Sequence, residues 1–155
     1  VIGWRARKHA GLIDLQRTAH YDPAAFWEPV HAVEGSSLIL DPDDFYILAS
    51  REAVRVPPDH AAEMLAYDTA VGEFRVHYAG FFDPGFGHAA AGADGTRAVL
   101  EVRSHEVPFV LEHGQRVGRL IYERLTERPD QLYGEALGSS YQRQGLQLSK
   151  HFRSG

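Results

Sequence analysis

The sequence predicts a mainly β fold with few short helices, organised as a β-barrel or a sandwich. From Ser37 onward, short apolar runs such as residues 38–40 and 45–49 alternate with turn residues such as 41–44. Stretches with the helical period are few, and the best of them covers residues 58–65. With 155 residues, 44% of them hydrophobic, the chain can bury one core, and we expect a single domain over residues 1–155.

The predicted domain has three segments. Residues 1–36 carry the weakest pattern, and within them residues 21–27 predict a turn that leads into a short helical piece. Residues 37–127 form the predicted β core. Residues 128–155 form a predicted flexible C-terminal arm, because glycines and serines interrupt any regular pattern there.

The β core contains a clear strand signal over residues 74–82. Its alternation places Arg75 and His77 on one face of the strand. Residues 83–85 then turn the chain, and residues 86–95 form a loop of small residues that we expect to be a flexible hairpin tip. Three further strands are predicted over residues 98–103, 108–111 and 116–125, with a turn at residues 113–114.

The composition excludes several classes of function. A net charge of −5 and a pI near 6.0 argue against a duplex nucleic-acid partner. The chain lacks a run of about 18 apolar residues, so we expect no membrane span and a cytoplasmic location. A small anionic ligand remains compatible with the charge, because a few cations and backbone N–H groups can hold a triphosphate.

The motif content argues against a protein-ligated metal. The chain has 9 histidines but no cysteine, whereas zinc nucleobase deaminases need a Pro-Cys-x-x-Cys segment. The absence of cysteine also removes disulfides and cysteine nucleophiles. The sequence shows no His-Glu-x-x-His helix, no P-loop and no Gly-x-Ser-x-Gly elbow.

Two candidate sites emerge from the residues alone. Glu101 lies in an alternating run opposite Leu100, where it either faces solvent or shuttles protons in a cleft, and periodicity does not separate these interpretations. The tail combines hydroxyls, an amide and a cation that suit an anion, although its composition favours a disordered polar terminus. These tail residues are Ser139, Ser140, Tyr141, Gln144, Gly145, Ser149 and Lys150.

Residues 77–87, His-Tyr-Ala-Gly-Phe-Phe-Asp-Pro-Gly-Phe-Gly, resemble the hairpin of dCTP deaminases and dUTPases that receives the pyrimidine and the deoxyribose. Residues 98–102 and 107–120 resemble the next two strands of that family. Polar and aromatic residues between 133 and 150 resemble the deaminase tail that folds over the triphosphate. The order and spacing agree from about Ser37 to Lys150, which is most of the chain. The resemblance therefore implies a dUTPase-like distorted β-barrel or jelly-roll-like sandwich.

The resemblance implies hydrolytic deamination of dCTP to dUTP and ammonia, with Glu101 as general acid/base. Typical dUTPases have an apolar residue at this position, and there the acid matching Asp83 orients the water. In a deaminase Asp83 would instead hold the sugar 3′-hydroxyl, and Phe86 would pack on the deoxyribose. The implied substrate-binding residues are Arg75, His77, Tyr78, Ala79, Asp83, Phe86, Tyr133, Tyr141, Gln144 and Lys150.

The resemblance also implies the partners. The ligand would be a deoxynucleoside triphosphate, dCTP or dUTP, and Mg²⁺ would be bound through its triphosphate rather than by protein ligands. Family members are trimers with sites between subunits, so we expect a homotrimer or a pseudo-trimeric assembly with a sister module. Some bacterial dCTP deaminases resemble two fused modules, and this chain resembles the second of them.

Two departures from the family pattern leave alternatives open. The usual Arg-Ser-Ser-like segment is replaced by residues 65–70, and the usual hairpin arginine is Phe81. Charge-assisted contacts are the strong ones, so losing two cations weakens a triphosphate site. Phe81 and Ala70 therefore favour a non-catalytic structural module of a fused deaminase as one alternative. A dUTPase that releases pyrophosphate is the other, and Glu101 argues against it.

Overall fold

A computed structural model describes the chain except residues 33, 34, 36, 67–73, 78, 79, 90–93, 105, 106, 134–145 and 155, and for residues 66 and 74–77 it describes the backbone alone. The described residues form one 3₁₀ helix, Pro23–Ala25, and ten strands. The strands are β1 (Gly3–Ala6), β2 (Trp27–Val30), β3 (Leu38–Leu40), β4 (Phe45–Val54), β5 (His60–Ala66), β6 (Phe74–His77), β7 (Phe81–Phe82), β8 (Thr96–Ser104), β9 (Phe109–Leu111) and β10 (Gly118–Arg124).

The strands assemble into three antiparallel sheets. A five-stranded sheet has the order β2-β1-β4-β8-β6, a three-stranded sheet the order β10-β5-β7, and a two-stranded sheet pairs β3 with β9. Within the described part of the chain these sheets do not join into a closed barrel. The predicted mainly β fold is therefore confirmed, in an open form.

The core lies against the inner face of the five-stranded sheet. In β8 the residues alternate strictly, with Ala98, Leu100 and Val102 buried and residues 97, 99, 101 and 103 exposed. This alternation follows from the two-residue period of a strand, and burying a large apolar side chain contributes about 1.5–3 kcal/mol. The other members of the core are Leu40, Tyr46, Leu48, Val54, Val56, Ala62, Met64 and Phe82.

The stretch with the best helical period is a strand. Residues 58–65 contain good helix formers, yet His60–Ala66 forms β5, which pairs with β10 on one side and β7 on the other. Ala62 and Met64 point into the core with the period of a strand. Tertiary pairing has overridden local propensity here, as it often does for short segments.

The weakly patterned N-terminal segment contains β1, β2 and the predicted helical turn. This turn is the 3₁₀ helix Pro23–Ala25, and the side chain of Asp22 accepts a hydrogen bond from the Ala24 N–H at 3.0 Å. Such a cap satisfies a donor that the helix leaves open, and proline suits the first helical position. The prediction of a short helical piece is therefore confirmed.

The end of the chain packs against the same N-terminal segment. The N–H of Arg153 donates to the carbonyl of Tyr21 at 2.9 Å, and the N–H of Tyr21 donates to the carbonyl of His151 at 3.1 Å. The buried ring of Phe152 lies 5.5 Å from that of Phe26, centroid to centroid. Residues 134–145 of the arm lie outside the described residues, so the flexibility of the arm stays a prediction.

Candidate functional site

Glu101 lies at the centre of β8 on the outward face of the five-stranded sheet. The register places it opposite Ile47 of β4 on one side and opposite His77 of β6 on the other. Its side chain is exposed and makes no hydrogen bond or ion pair with the residues that the structure describes. In the single chain, therefore, the carboxylate faces outward from the sheet rather than into a closed cleft.

A neighbouring row of the same sheet carries cations. Arg103 follows Glu101 by two residues, so both side chains lie on the outward face. The register places Arg103 opposite Phe45 and opposite Arg75. The guanidinium carbon of Arg103 lies 5.4 Å from the centre of the Phe45 ring, in a cation–π arrangement. The pairing thus places the predicted Arg75 and His77 beside Arg103 and Glu101 respectively.

The Asp83–Phe86 turn follows β7 and is fixed by backbone hydrogen bonds. The N–H of Phe86 donates to the carbonyl of Asp83 at 3.0 Å, and Gly85 has a positive φ of 90°, which glycine adopts without strain. Val56 donates its N–H to the carbonyl of Phe86 at 2.8 Å and accepts the N–H of Gly85 at 3.2 Å. Asp83 is exposed, so its carboxylate is available to a ligand at this turn.

The ring of Phe86 packs against two other aromatic rings. Its centroid is 5.0 Å from that of the buried Phe82 and 5.5 Å from that of Tyr133. The N–H of Tyr133 also donates to the carbonyl of Pro84 at 2.9 Å. The structure therefore brings together two residues that the sequence placed separately, one in the hairpin and one at the start of the arm.

The residues that support this turn carry no distinctive signal in the sequence. Val56 is fully buried, but along the chain it is only an apolar residue before two prolines. Phe82 alternates with Phe81, and this pattern predicts opposite faces without saying which one is buried. In the structure Phe82 belongs to the core, whereas Phe81 is 76% exposed.

The hairpin after the turn is held at its base. Gly87 has a positive φ of 63°, and a Cβ at this position would collide with the carbonyl oxygen of Val54. The N–H of Gly95 donates to the carbonyl of Gly87 at 2.7 Å, and Arg55 pairs with Asp94 at 2.5 Å. The base is thus fixed by close backbone packing, and the tip at residues 90–93 lies outside the described residues.

The remaining predicted site residues fall into two groups. Tyr78, Ala79, Tyr141 and Gln144 lie outside the described residues. Lys150 is exposed, and its carbonyl accepts the N–H of Ala19 at 2.9 Å, which ties it to the N-terminal segment. The contacts within the described part of the chain join neither Lys150 nor Glu101 to the Asp83–Phe86 turn.

An aromatic groove of about 530 Å³ occupies another part of the outward surface. Trp4 is one of its residues and pairs with Ile47, which in turn pairs with Glu101, so strand β4 separates the groove from Glu101. No predicted site residue lines it. The lining residues are Trp4, Asp22, Pro23, Ala24, Trp27, Pro29, Leu148, Phe152 and Arg153.

Within the described ranges, no group of three or more histidine, aspartate or glutamate side chains is arranged to hold a metal ion. The same part of the chain contains no helix long and apolar enough to cross a membrane.

The open β fold, with an aromatic turn after β7 and an outward carboxylate on β8, defines a dUTPase-like module. Residues 1–152 match the family model described as the C-terminal domain of 2′-deoxycytidine 5′-triphosphate deaminase. The chain therefore belongs to the dCTP deaminase family.

Individual relatives agree with this assignment. A protein of Pseudarthrobacter chlorophenolicus named "dCTP deaminase, dUMP-forming" is 30% identical over 90% of this chain and 73% of its own length. A protein of Halobacterium salinarum with the same name is 34% identical over 76% of this chain. A crystal structure of 2′-deoxycytidine 5′-triphosphate deaminase from Agrobacterium tumefaciens matches 83% of this chain with a TM-score of 0.74 and 64% identity. The matched region spans 58% of the Halobacterium protein and 38% of the Agrobacterium chain.

Proposed function

We propose that this chain is a catalytic module of a dCTP deaminase, which converts dCTP and water to dUTP and ammonia. The observation that carries the proposal is Glu101, an outward carboxylate at the centre of β8 in a chain of the dCTP deaminase family. The other acid of the proposed site is Asp83, which is exposed on a turn fixed by backbone hydrogen bonds between Val56 and residues 85–86. Two acids in separate positions suit two separate tasks, proton transfer and sugar binding.

In the proposed reaction Glu101 moves protons at cytosine C4. It takes one proton from the attacking water and passes it to ring N3, which leaves a hydroxyl and an amino group on C4. It then takes the hydroxyl proton and passes it to the amino group, which leaves as ammonia while the C4 carbonyl forms. A positioned group of this kind contributes about 10²–10⁴-fold to the rate.

The substrate contacts follow from the turn and the paired strands. Asp83 would accept the sugar 3′-hydroxyl, and Phe86 would pack on the deoxyribose. The backbone from His77 to Ala79 would bind the base edge, with Tyr78 between them, and Arg75 would supply a cation. Tyr133, Tyr141, Gln144 and Lys150 would close the site from the arm. Mg²⁺ would arrive with the triphosphate as part of the substrate.

The exposure of Glu101 favours an active form in which a second protein surface covers this carboxylate. A general acid/base works best where bulk water is excluded. In the single chain the outward face of β8 is open to water. A homotrimer or a sister module that covers this face would enclose the carboxylate. The same neighbour would supply the phosphate-binding cations that Phe81 and Ala70 do not provide.

A second candidate function differs in the product. The Pseudarthrobacter and Halobacterium relatives are named for forming dUMP. Such an enzyme consumes dCTP and two waters and yields dUMP, pyrophosphate and ammonia, so it also cleaves the bond between the α- and β-phosphates. On this reading the product is dUMP instead of the dUTP that the sequence resemblance implies.

A single assay separates these functions. The purified chain, alone and with any module joined upstream of it, is incubated with Mg²⁺ and either dCTP or dUTP in parallel samples, while ammonia, pyrophosphate and the product nucleotide are measured. Ammonia with dUTP supports the main proposal, and ammonia with pyrophosphate and dUMP supports the second. Pyrophosphate released from dUTP, with no ammonia from dCTP, indicates a dUTPase. If neither preparation turns over either nucleotide, the module is structural and the proposed function is wrong.

A further inference from the structure

We infer that Tyr133 is a positioning residue for sugar selection: its ring holds the ring of Phe86 in place and thereby sets the preference for deoxyribose over ribose. The inference rests on the proposed function, in which Phe86 packs on the substrate sugar. It assigns Tyr133 a role through Phe86, distinct from a contact with the triphosphate.

The main chain of the turn is held without the Tyr133 ring. Val56 is fully buried and exchanges two backbone hydrogen bonds with Gly85 and Phe86, at 3.2 and 2.8 Å. The N–H of Phe86 also donates to the carbonyl of Asp83 at 3.0 Å. The path of the backbone through Asp83 and Phe86 should therefore survive a change in the Tyr133 side chain.

The ring of Phe86 depends on its aromatic neighbours instead. Phe82 packs against it at 5.0 Å with an interplanar angle of 68°, and Tyr133 packs against it at 5.5 Å with an angle of 55°. Phe82 is part of the core, where close packing leaves it little freedom to move. Tyr133 is half-buried and is the second aromatic neighbour of Phe86, so we expect removal of its ring to give the Phe86 ring room to change rotamer.

The backbone of Tyr133 is attached to the turn independently of its ring. Its N–H donates to the carbonyl of Pro84 at 2.9 Å, and this bond does not involve the side chain. Tyr133→Ala therefore removes the ring and keeps the attachment. Tyr133→Phe keeps the ring and removes the hydroxyl, so the two variants separate packing from polar contacts.

The consequence for substrate choice concerns one hydroxyl group. In the proposed site, a fixed Phe86 ring against the sugar would leave no room for the ribose 2′-hydroxyl, whereas a ring that turns aside would admit it. Selection against an added group depends on the shape of the site, so this selection weakens when the side chain that forms the wall of the site can move. Loss of the Tyr133 ring should therefore alter the ratio between the two nucleotides, and not only the rate with one of them.

The experiment measures kcat/KM for dCTP and for CTP, together with equilibrium binding of both nucleotides by calorimetry. We expect the dCTP-to-CTP ratio to fall roughly two- to tenfold in Tyr133→Ala, the range for one aromatic contact, and to stay at the wild-type value in Tyr133→Phe. Tyr21→Ala is the matched control, because its ring packs at 5.5 Å from Phe26 in a different aromatic cluster. That variant should keep the wild-type ratio. Should Tyr133→Ala fail to fold by circular dichroism, Tyr133→Leu fills the space without a ring and replaces it.

The outcomes distinguish this inference from the function on which it rests. An unchanged ratio in a folded Tyr133→Ala, with both nucleotides affected equally, overturns the role of Tyr133 and leaves the deaminase proposal intact. A fall in the ratio in Tyr133→Phe would also overturn it, since the hydroxyl would then be responsible. If the wild-type protein binds neither nucleotide, the proposed function fails and the inference fails with it.

Discussion

The carboxylate of Asp44, which is completely buried, forms an ion pair with the guanidinium of Arg5 at 2.7 Å, and Lys8 reaches its other oxygen at 2.8 Å. Asp44 precedes β4, the strand that pairs with β8 beside Glu101. Arg5 belongs to β1, on the far side of β4. The ion pair thus joins β1 to the start of β4 within the sheet that carries the proposed catalytic acid.

Replacing Asp44 with asparagine should destabilise the fold. The amide keeps the shape but not the charge, so two cations lose their buried partner, and we expect the free energy of unfolding to fall by about 1–3 kcal/mol. Urea unfolding followed by circular dichroism measures the change. Asp43→Asn is the matched control, because Asp43 is exposed and has a positive φ of 59° that asparagine tolerates. Equal effects of the two substitutions would contradict a structural role for the buried pair.

The Lys8–Asp44 pair should also give a pH dependence in the alkaline range. The hydrogen bond and the negative charge of Asp44 raise the pKa of Lys8 above its ordinary value of 10.5. A raised pKa means that the pair stabilises the fold fully below that ordinary value and loses this effect as the pH rises through the raised pKa. The difference in stability between wild type and Lys8→Met should therefore be constant from neutral pH to about pH 10 and shrink above it. If this difference in stability instead grew as the pH rose through the alkaline range, the raised pKa of Lys8 would be contradicted.

Gly87 should tolerate no side chain. Its φ is 63°, and a Cβ would collide with the backbone at Val54 and approach the nitrogen of Thr96 to 2.8 Å. We expect Gly87→Ala to lower the free energy of unfolding by about 2–4 kcal/mol, since strain and collision add. Gly35→Ala provides the comparison, because Gly35 has a φ of 71° with nothing within 4 Å of the added carbon. Gly35→Ala should lower the free energy of unfolding by the backbone strain alone, about 1–2 kcal/mol. A decrease no larger than this in Gly87→Ala would argue against the close approach to Val54.

Glu101→Gln should abolish ammonia release while leaving the fold intact. The carboxylate is exposed and makes no contact that stabilises the described part of the chain, so the melting temperature should stay at the wild-type value. Turnover of dCTP should fall by about 10²–10⁴-fold, because glutamine cannot carry the proton. Glu123→Gln, which changes an exposed carboxylate on β10, should keep full activity. Wild-type turnover by Glu101→Gln would remove the assignment of the general acid/base.

Several features of this protein follow from local patterns in the sequence. The two-residue alternation along β8 predicts that Leu100 and Glu101 face opposite sides, and the structure confirms it. The Asp-Pro-Gly segment predicts the turn before Phe86, because proline and glycine restrict the backbone to turn conformations. Residues 58–65 show where such patterns fail: helix-forming residues lie in β5, because pairing with two other strands stabilises them more than local propensity does.

The sequence by itself determined which side chains alternate and where the chain turns, because these depend on neighbours along the backbone. Only the tertiary structure decided that Tyr133 packs on Phe86, that Val56 fixes the Asp83–Phe86 turn, and that Asp44 is buried against Arg5. These contacts join residues far apart in the chain, and a period of two residues specifies a face but not the partner that covers it. The exposure of Glu101 is another such result, because the alternation along β8 places it opposite Leu100 without saying which of the two faces is covered.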